Sequence, residues 1–264
     1  MEPIPNKSRM PVLFIGHGNP MNAIEQNRWS EALANLGQTL PRPKSILVIS
    51  AHWFVPGTFA TVQERPPTLH DFSGFPGDLN TFEYPAPGDP ALARRVVYLC
   101  GEQASLTADW GLDHGTWSVL THLFPNADIP VVQLSVDNML TPLDLVGLGV
   151  SLRPLREEGA LIIASGNITH NLRDAFSRMS AWDFTTPDWA TLFDNQIADA
   201  IKERNRALLC AALSEELGEI NHPTPEHYLP LLYAFGASDL EDEVSFPITG
   251  FDMGSLSMRS VRWG

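Results

Sequence analysis

The sequence contains only two cysteines among its 264 residues. Neither belongs to a Cys-X-X-Cys pair, so the chain lacks the spacing that is typical of a thiolate zinc site or a redox disulfide. Both Cys100 and Cys210 lie in apolar, helix-like stretches. We therefore expect two buried, reduced thiols, and cysteine chemistry is not the expected basis of the function.

The chain also lacks a block of basic residues. It carries 17 lysines and arginines against 31 aspartates and glutamates, which gives a formal net charge of −14. Nucleic acid is not an expected partner, because no basic patch is present to replace the counterions of phosphate. An acidic chain is also not attracted to an anionic membrane surface. An anionic substrate would need a local positive potential, which a bound metal could supply.

Long apolar stretches are missing as well. No run of about 18 apolar residues occurs, as a membrane-spanning helix would require, and residues 1–7 (MEPIPNK) contain no apolar core of a secretory signal. We therefore expect a cytoplasmic protein without a membrane partner. The apolar fraction of 44% and the charged fraction of 18% are typical of a globular chain.

Short apolar runs alternate with helix-like stretches along the chain. The runs lack a period of two, as is typical of buried strands, and they cover 10–15, 45–50, 129–135 and 160–165. Helices are predicted at 27–36, 89–101, 118–124, 142–158 and 189–216. Residues 246–264 alternate between apolar and polar and predict one or two closing strands. The pattern predicts an α/β fold, in which a single catalytic domain (1–264) has a central, mostly parallel or mixed sheet flanked by helices.

One segment, residues 56–88, interrupts this alternation. It is rich in proline and glycine and carries Phe72, Phe75, Phe82 and Tyr84. A long segment without periodicity is often a lid or wall over a functional site. It can equally be a surface loop that is packed by its own aromatic rings.

Four of the eight histidines follow a strand-like run or open a predicted helix; they are His17, His52, His170 and His227. For the last of these, Thr224 is a plausible N-cap and Pro225 a plausible first helical residue, which would put His227 in the first turn. The strand ends of an α/β sheet meet at one edge, where ligands bind. Imidazole serves both as a metal ligand and as a proton carrier near neutral pH. The sequence therefore predicts a metalloenzyme.

The other four histidines have weaker positions. His114 precedes a predicted helix, and the neighbouring Asp113 could set its tautomer. His122 is expected to be a packed or surface residue, and His222 a turn residue. His70 lies in the long segment 56–88, where a contact with a lid is one alternative.

Eight short motifs resemble those of one enzyme family. They occur in that family's order and span nearly the whole chain: 16–21 (GHGNPM), 50–53 (SAHW), 70–76 (HDFSGFP), 84–88 (YPAPG), 113–117 (DHGTW), 164–172 (ASGNITHNL), 223–231 (PTPEHYLPL) and 253–258 (MGSLSM). The chain resembles the class III extradiol ring-cleavage dioxygenases, the protocatechuate 4,5-dioxygenase catalytic-subunit superfamily. The resemblance is greatest to the DOPA 4,5-dioxygenase branch.

The resemblance implies roles for five histidines. His17, His52 and His227 match metal ligands. His170 matches the active-site acid and base, and it is a possible fourth ligand when zinc is bound. His114 matches a histidine that contacts substrate. The wider superfamily has a carboxylate at the position of His227, so a histidine here makes the site less negative and weakens the usual two-histidine, one-carboxylate argument for iron.

The implied reaction is the extradiol opening of a catechol, such as an L-DOPA-like compound, by O₂ to a semialdehyde. One divalent ion is expected: Fe(II) for the oxygen chemistry, and Zn²⁺ in the isolated protein because a cluster of neutral imidazoles suits zinc. Two alternatives remain, a zinc-dependent hydrolase and a catechol-binding metalloprotein without turnover. The sequence does not predict the oligomeric state.

Overall fold

The computed structural model describes residues 9–75 and 77–264. Within them the strands are β1 (Val12–Gly16), β2 (Ser45–Val55), β3 (Thr58–Thr61), β4 (Ala104–Thr107), β5 (Val131–Asp137), β6 (Ala160–Gly166), β7 (Val244–Ile248), β8 (Phe251–Asp252), β9 (Leu256–Ser257) and β10 (Ser260–Trp263). The α-helices are α1 (Arg28–Thr39), α2 (Gly77–Asn80), α3 (Pro90–Cys100), α4 (His114–Leu123), α5 (Pro142–Leu152), α6 (Pro154–Glu158), α7 (Leu172–Ser180), α8 (Asp188–Lys202), α9 (Arg206–Ala211), α10 (Glu216–Asn221) and α11 (Pro230–Ala237).

Eight of these strands form one mixed sheet in the order β4-β3-β5-β2-β6-β1-β10-β7. The four central strands, from β5 to β1, are parallel to one another. The β10 strand pairs antiparallel with β1 on one side, and β3 pairs antiparallel with β5 on the other. Since the central strands are parallel, their carboxyl ends lie at one edge of the sheet. The strands β8 and β9 form a separate hairpin.

The central strands are covered on both faces, so their residues are buried without interruption. In β1, Val12 and Phe14 pack into one apolar core, whereas Leu13 and Ile15 pack into the other. The first core includes residues of α3, α5, α8 and α11, and the second includes residues of α1 and α4. Burial on both faces explains why these strands read as continuous apolar runs. The predicted α/β fold with a mixed sheet flanked by helices is confirmed.

The predicted elements differ from the observed ones mainly at proline and at the ends. The helix predicted at 142–158 is two helices, because Pro154 begins a new helix, α6, immediately after α5. The stretch 189–216 is divided among α8, α9 and the start of α10. The segment 56–88 is not one loop, since it contains β3 and α2. Residues 246–264, predicted as one or two closing strands, contain the end of β7 and all of β8, β9 and β10.

One helix start is wrong in a way that concerns the candidate site. Thr224 and Pro225 do not begin a helix: α11 begins at Pro230, and His227 lies in the turn before it. The backbone N–H groups of Tyr228 and Leu229 donate to the Pro225 carbonyl at 3.0 and 3.3 Å, so His227 lies in a hydrogen-bonded turn just before α11. Among the described residues, none of the helices is long and apolar enough to cross a membrane.

Candidate metal centre

The three central strands β1, β2 and β6 carry three of the predicted histidines. His17 follows β1 directly, and its backbone N–H donates to the last carbonyl of β6 at 3.0 Å. His170 lies a few residues beyond the end of β6. His52 lies inside β2 rather than after it, at a point where the pairing with β5 is irregular between Ile49 and Phe54. Such an irregularity redirects a side chain, and the His52 ring centre lies 5.0 Å from that of His17.

Two further histidines reach the same edge from outside the sheet. His114 is the first residue of α4, whose N-cap is Asp113. The carbonyl of His227 accepts a hydrogen bond from the Asn167 N–H, just after β6, at 2.9 Å. The backbone at Gly166 passes so close to this carbonyl that a β-carbon there would overlap it. The glycine therefore allows the turn that carries His227 to pack directly on the end of the sheet.

Together these residues form what we call the histidine cluster: His17, His52, His114, His170 and His227. Three of the five rings form an almost equilateral triangle. The ring centres of His17 and His52 are 5.0 Å apart, those of His17 and His227 5.2 Å, and those of His52 and His227 5.0 Å. The sequence-predicted ligands are thus brought together.

The spacing of the ring centres in this triangle is close to that of imidazoles around one divalent ion. A tetrahedral ion that binds imidazoles at about 2.0–2.1 Å places ligand nitrogens roughly 3.3 Å apart and ring centres roughly 5 Å apart. The Nε2 atoms of His17 and His52 are 3.2 Å apart. By contrast, the His114 ring centre is 5.9 Å from that of His17 and 3.7 Å from that of His52. The first distance is longer and the second shorter than the expected spacing of ring centres.

Each ring of the triangle is held through its Nδ1 atom. His17 Nδ1 lies 2.9 Å from Ser165 Oγ, which donates its own proton to the Gly115 carbonyl. Since that hydroxyl proton is already used, His17 Nδ1 carries the hydrogen and donates it. His52 Nδ1 lies 3.2 Å from a carboxylate oxygen of Asp71, and His227 Nδ1 lies 3.1 Å from Glu226 Oε1. The Nε2 atom of each ring is left with its lone pair, as in metal sites whose ligands are oriented by hydrogen bonds.

Asp71 connects two rings of the cluster. The same carboxylate oxygen accepts from His114 Nδ1 at 2.9 Å and lies 3.2 Å from His52 Nδ1. The other oxygen accepts from the backbone N–H of His114 at 2.9 Å. Asp71 belongs to the segment 56–88, so this carboxylate fastens that segment to the histidine cluster.

His170 is placed differently from the triangle. Its ring is stacked on that of His227, with centres 3.5 Å apart and an interplanar angle of 8°. Its backbone is fixed, because the His170 N–H donates to the Asn221 carbonyl at 3.0 Å. Ligand atoms of His170, His227 and Glu226 lie within 4.8 Å of one another, and so do those of His17, His52 and His114. The cluster therefore offers more than one combination of ligands.

Burial lowers the pKa of four of the five histidines in the cluster: His17, His114, His170 and His227. Desolvation lowers the pKa of His17 and His227 well below the usual value, and the neighbouring imidazoles lower it further. For the same reasons the pKa of His170 falls to about 3. Burial alone would raise the pKa of Asp71, but hydrogen bonds from His114 and His52 lower it. At neutral pH the imidazoles of His17, His170 and His227 are therefore neutral, so their lone pairs are free to bind a cation, and the Asp71 carboxylate is ionised.

The remaining histidines lie outside the cluster. His122 Nε2 lies 2.7 Å from the Asn22 carbonyl, and His222 Nε2 lies 2.7 Å from the Ile168 carbonyl. His70 Nε2 lies 3.0 Å from the Phe82 carbonyl, so its ring holds the segment 56–88 together. The position of His122 agrees with the packed or surface role predicted for it, and His222 follows α10 directly, where a turn residue was predicted.

Two carboxylates have positions that the sequence did not reveal. We expected Asp113 to set the tautomer of His114, but Asp113 instead accepts hydrogen bonds from Ser50 and Gln133 inside the core. Asp71 occupies the expected place, although 43 residues separate it from His114. Glu226 is adjacent to its partner His227. That adjacency was the only local indication of such a carboxylate.

A cavity of about 470 Å³ opens onto the histidine cluster. All five histidines line it, together with Phe72 and Phe75. The Phe72 ring centre lies 5.5 Å from that of His114 and 5.2 Å from that of Phe75. Phe72 and Phe75 therefore form a wall of this cavity, whereas Tyr84 is buried and donates to the Phe124 carbonyl.

Comparison with known proteins agrees with this geometry. Residues 12–253 match the family described as the catalytic LigB subunit of aromatic ring-opening dioxygenase. The chain is 46% identical to a 4,5-DOPA dioxygenase extradiol of Escherichia coli K12, over 99% of this chain and 97% of the relative. It is 35% identical to a protein of the same name from Beta vulgaris, over 96% of each chain.

A solved structure is similar over the same extent. A crystal structure of an uncharacterized protein from Escherichia coli K12 superposes with a TM-score of 0.83 at 43% sequence identity, and the match covers 97% of this chain and 100% of that one. Both the sequence and the fold thus match along nearly the whole chain. The chain belongs to the LigB family of aromatic ring-opening dioxygenases and is a ring-cleaving dioxygenase.

Proposed function

We propose that this chain, acting as one catalytic domain, opens the ring of a catechol with O₂ at a single divalent ion held by His17, His52 and His227. The observation that carries the proposal is the triangle of rings about 5 Å apart, each tied through Nδ1 and each left with Nε2 as a ligand. Relatives named 4,5-DOPA dioxygenase extradiol support a substituted catechol as the substrate, and L-DOPA is the first such compound to test.

When bound, a redox-active ion such as Fe(II) would supply Lewis acidity and a path for electrons from the catechol to O₂. In the proposed reaction the ring bond beside the diol breaks, and both oxygen atoms of O₂ enter the semialdehyde product. The protein's own residues then have three tasks: to orient the catechol, to transfer protons and to exclude water.

His170 is the proposed proton carrier. Its ring is buried and neutral, which leaves a nitrogen lone pair to accept a proton from a catechol hydroxyl and return it later. Its ring centre is only 3.5 Å from that of His227, well short of the roughly 5 Å spacing of two tetrahedral ligands. This spacing favours the acid–base role over coordination.

His114 and the aromatic wall would position the substrate. Because Asp71 accepts from His114 Nδ1, the hydrogen is on that atom and Nε2 can accept one from a catechol hydroxyl. Phe72 and Phe75 can stack against the ring and keep water from the reacting atoms.

The all-imidazole ligand set also suits Zn²⁺, which has no redox chemistry. A zinc-loaded protein would bind a catechol without opening its ring, or would act as a hydrolase. Membership of a family of ring-opening dioxygenases favours ring opening. Whether the protein opens the ring of a catechol or only binds it then depends on which metal ion it holds.

The test uses metal-free protein prepared with a chelator and then loaded anaerobically with Fe(II) or Zn(II). After L-DOPA or catechol and air are added, we expect the iron form to consume one O₂ for each yellow ring-opened product, and the zinc form to consume none. Product formation without O₂ consumption, or O₂ consumption that is independent of the catechol, would contradict the proposal.

A further inference from the structure

The outer wall of the cavity is formed by one face of α7. Leu172, Phe176 and Met179 line the cavity, and their spacing of four and three residues places them on the same side of the helix. They remain 42%, 49% and 45% exposed, so they lie where the cavity opens to solvent. If a catechol binds with its hydroxyls at the histidine cluster, a ring substituent that points toward solvent along α7 passes these side chains.

The lining of the cavity offers such a substituent no counter-ion. Apart from the five histidines, the described side chains that line it are uncharged, with Asn19 and Ser73 as the polar ones. A charged group at the end of the substituent would therefore have to find its partner at the rim of the cavity rather than inside it.

Arg173 lies at this rim. Successive residues of an α-helix are about 100° apart around the axis, so Arg173 is about 60° from Phe176 on one side of the wall, and Ala175 is about 60° from Leu172 on the other. Ala175 is buried, whereas Arg173 is exposed. The apolar wall thus lies between the core side and the solvent side of α7, and Arg173 borders it on the solvent side, three residues before Phe176.

The Arg173 guanidinium is free to bind a ligand. The other charged side chains of α7 are paired: Arg178 lies 2.7 Å from a carboxylate oxygen of Asp174 and 2.7 Å from one of Asp183. Arg173 forms neither an ion pair nor a side-chain hydrogen bond with any residue that the structure describes. A guanidinium can donate two parallel hydrogen bonds to one carboxylate. On a chain with a net charge of −14, such a cation supplies the local attraction that an anionic substrate needs.

We infer that the substrate is a catechol whose ring substituent ends in a carboxylate, and that Arg173 binds this carboxylate at the mouth of the cavity. Leu172, Phe176 and Met179 would contact the carbon atoms that link the carboxylate to the ring. This inference rests on the proposed catechol site. L-DOPA belongs to this class of compounds, and so does 3-(3,4-dihydroxyphenyl)propanoate, which lacks the ammonium group. Arg173 is thus a specificity-determining residue.

The test compares ligands that share the catechol ring and differ in the charge of the substituent. They are 3-(3,4-dihydroxyphenyl)propanoate, its primary amide, L-DOPA, dopamine and 4-ethylcatechol. Binding is measured by calorimetry on zinc-loaded protein, and kcat and KM on the Fe(II) form. We expect the propanoate to bind about fivefold more tightly than its amide, as for a favourable exposed ion pair. Dopamine, which carries only an ammonium group, should bind more weakly than the amide.

Two variants of Arg173 test whether this residue causes the preference. Arg173→Gln should bind the propanoate and the amide equally. It should raise KM for the propanoate with little change in kcat, because the carboxylate is remote from the reacting atoms and is bound alike in the ground and transition states. Arg173→Glu should reverse the order, so that dopamine binds more tightly than the propanoate.

Arg94→Gln is the matched control. Arg94 is an exposed arginine of α3 that does not line the cavity, and its replacement changes the net charge by the same amount. The control should keep the wild-type ratio of propanoate to amide affinity. If Arg94→Gln lost the preference as Arg173→Gln does, the effect would follow the net charge of the chain, and the inference would be wrong.

The outcomes distinguish this inference from the proposed function. If wild-type protein binds 4-ethylcatechol but does not distinguish the propanoate from its amide, the substrate inference is wrong and the catechol site stands. The same holds if the ratio of the two affinities is unchanged in Arg173→Gln. If neither metal form binds any of these catechols, both the inference and the proposed function are wrong.

Discussion

Two groups of polar side chains in this molecule differ in how their hydrogen-bonding atoms are satisfied. One is the histidine cluster. The other, the arginine cluster, consists of Arg9, Arg156, Asp239 and Asp242. Arg156 is 1% exposed and donates to both carboxylate oxygens of Asp242, at 2.7 and 2.8 Å, and to the Met10 carbonyl at 2.7 Å.

We call the arginine cluster closed, because its charges are paired within the protein. We call the histidine cluster open, because three Nε2 atoms remain after each Nδ1 has found a partner. Burial alone would raise the pKa of Asp242, but its bonds to Arg156 lower it to about 2. The charges thus stay ionised and are paired within the protein. In the histidine cluster, burial keeps His17 and His227 neutral, and the Nε2 atoms of three rings are left after each Nδ1 has found a partner. A closed group of buried charges serves the fold, whereas an open group of lone pairs is suited to an external cation.

The largest effect should come from removing a ligand of the triangle. We expect His227→Ala to lower Zn²⁺ affinity by about 3 kcal/mol or more, a hundredfold or more, since each ligand of a multidentate site carries a large share of the binding free energy. Competition with a chelating dye measures the dissociation constant. His122→Ala is the control and should bind zinc as the wild type does. Wild-type affinity in His227→Ala would remove His227 from the ligand set.

The arginine cluster should respond in stability rather than in metal binding. Asp242→Asn leaves the buried Arg156 guanidinium without its counter-ion, which should cost about 3–5 kcal/mol in the free energy of unfolding. Denaturant titration of the metal-free protein measures this loss. In the control Asp128→Asn, which breaks an exposed pair with Arg42, the loss should be about 0–1 kcal/mol. Equal losses of unfolding free energy in the two variants would mean that the arginine cluster contributes no more to stability than an exposed ion pair.

Inside the histidine cluster, His170 should affect the rate more than metal binding. We expect His170→Ala to keep its metal and to lose about 10²- to 10⁴-fold in kcat, the usual contribution of a positioned acid or base. Metal content and single-turnover rates should be measured on the same sample. A parallel loss of metal and activity would instead make His170 a ligand.

A buried histidine outside both clusters adds a pH test. Burial lowers the pKa of His222 from the usual 6.5 of a free histidine to about 4, so protonation favours the unfolded chain. Its destabilisation is absent above pH 6.5 and grows as the pH falls toward 4. Between pH 7 and pH 5 the metal-free wild type should lose about 2 kcal/mol more unfolding free energy than His222→Gln. Parallel stability curves from denaturant titrations would contradict this.

The smallest effect is expected at Asp71. Asp71→Asn should weaken metal affinity and kcat/KM by about 10- to 100-fold, because the orientation of His52 and His114 is loosened while all proposed ligands remain. Asp109→Asn, an exposed carboxylate of the segment between β4 and α4, is the control. If Asp71→Asn lost all metal, Asp71 would be indispensable for metal binding and would not merely orient the rings.

The sequence predicted the positions of His17 and His170 because a strand's apolar run ends visibly and parallel strands share an edge. It did not predict that His52 lies within an irregular strand, since the irregularity depends on the register with β5. Asp71 was missed because its partners are distant in the chain and its own segment has no periodicity. The short strands β3 and β4 were missed too, because each has only four residues at the end of the sheet.

The proposed ligands also lie far apart along the chain. His17 follows the first strand and His227 precedes the last helix, so the site exists only when both halves of the protein are folded. An ion bound there binds the folded chain almost exclusively, and its binding free energy adds directly to stability. At a free concentration of 100 times Kd it would contribute about 2.7 kcal/mol. Chelators should therefore act as mild denaturants of this protein, and metal supply should set how long it survives proteolysis.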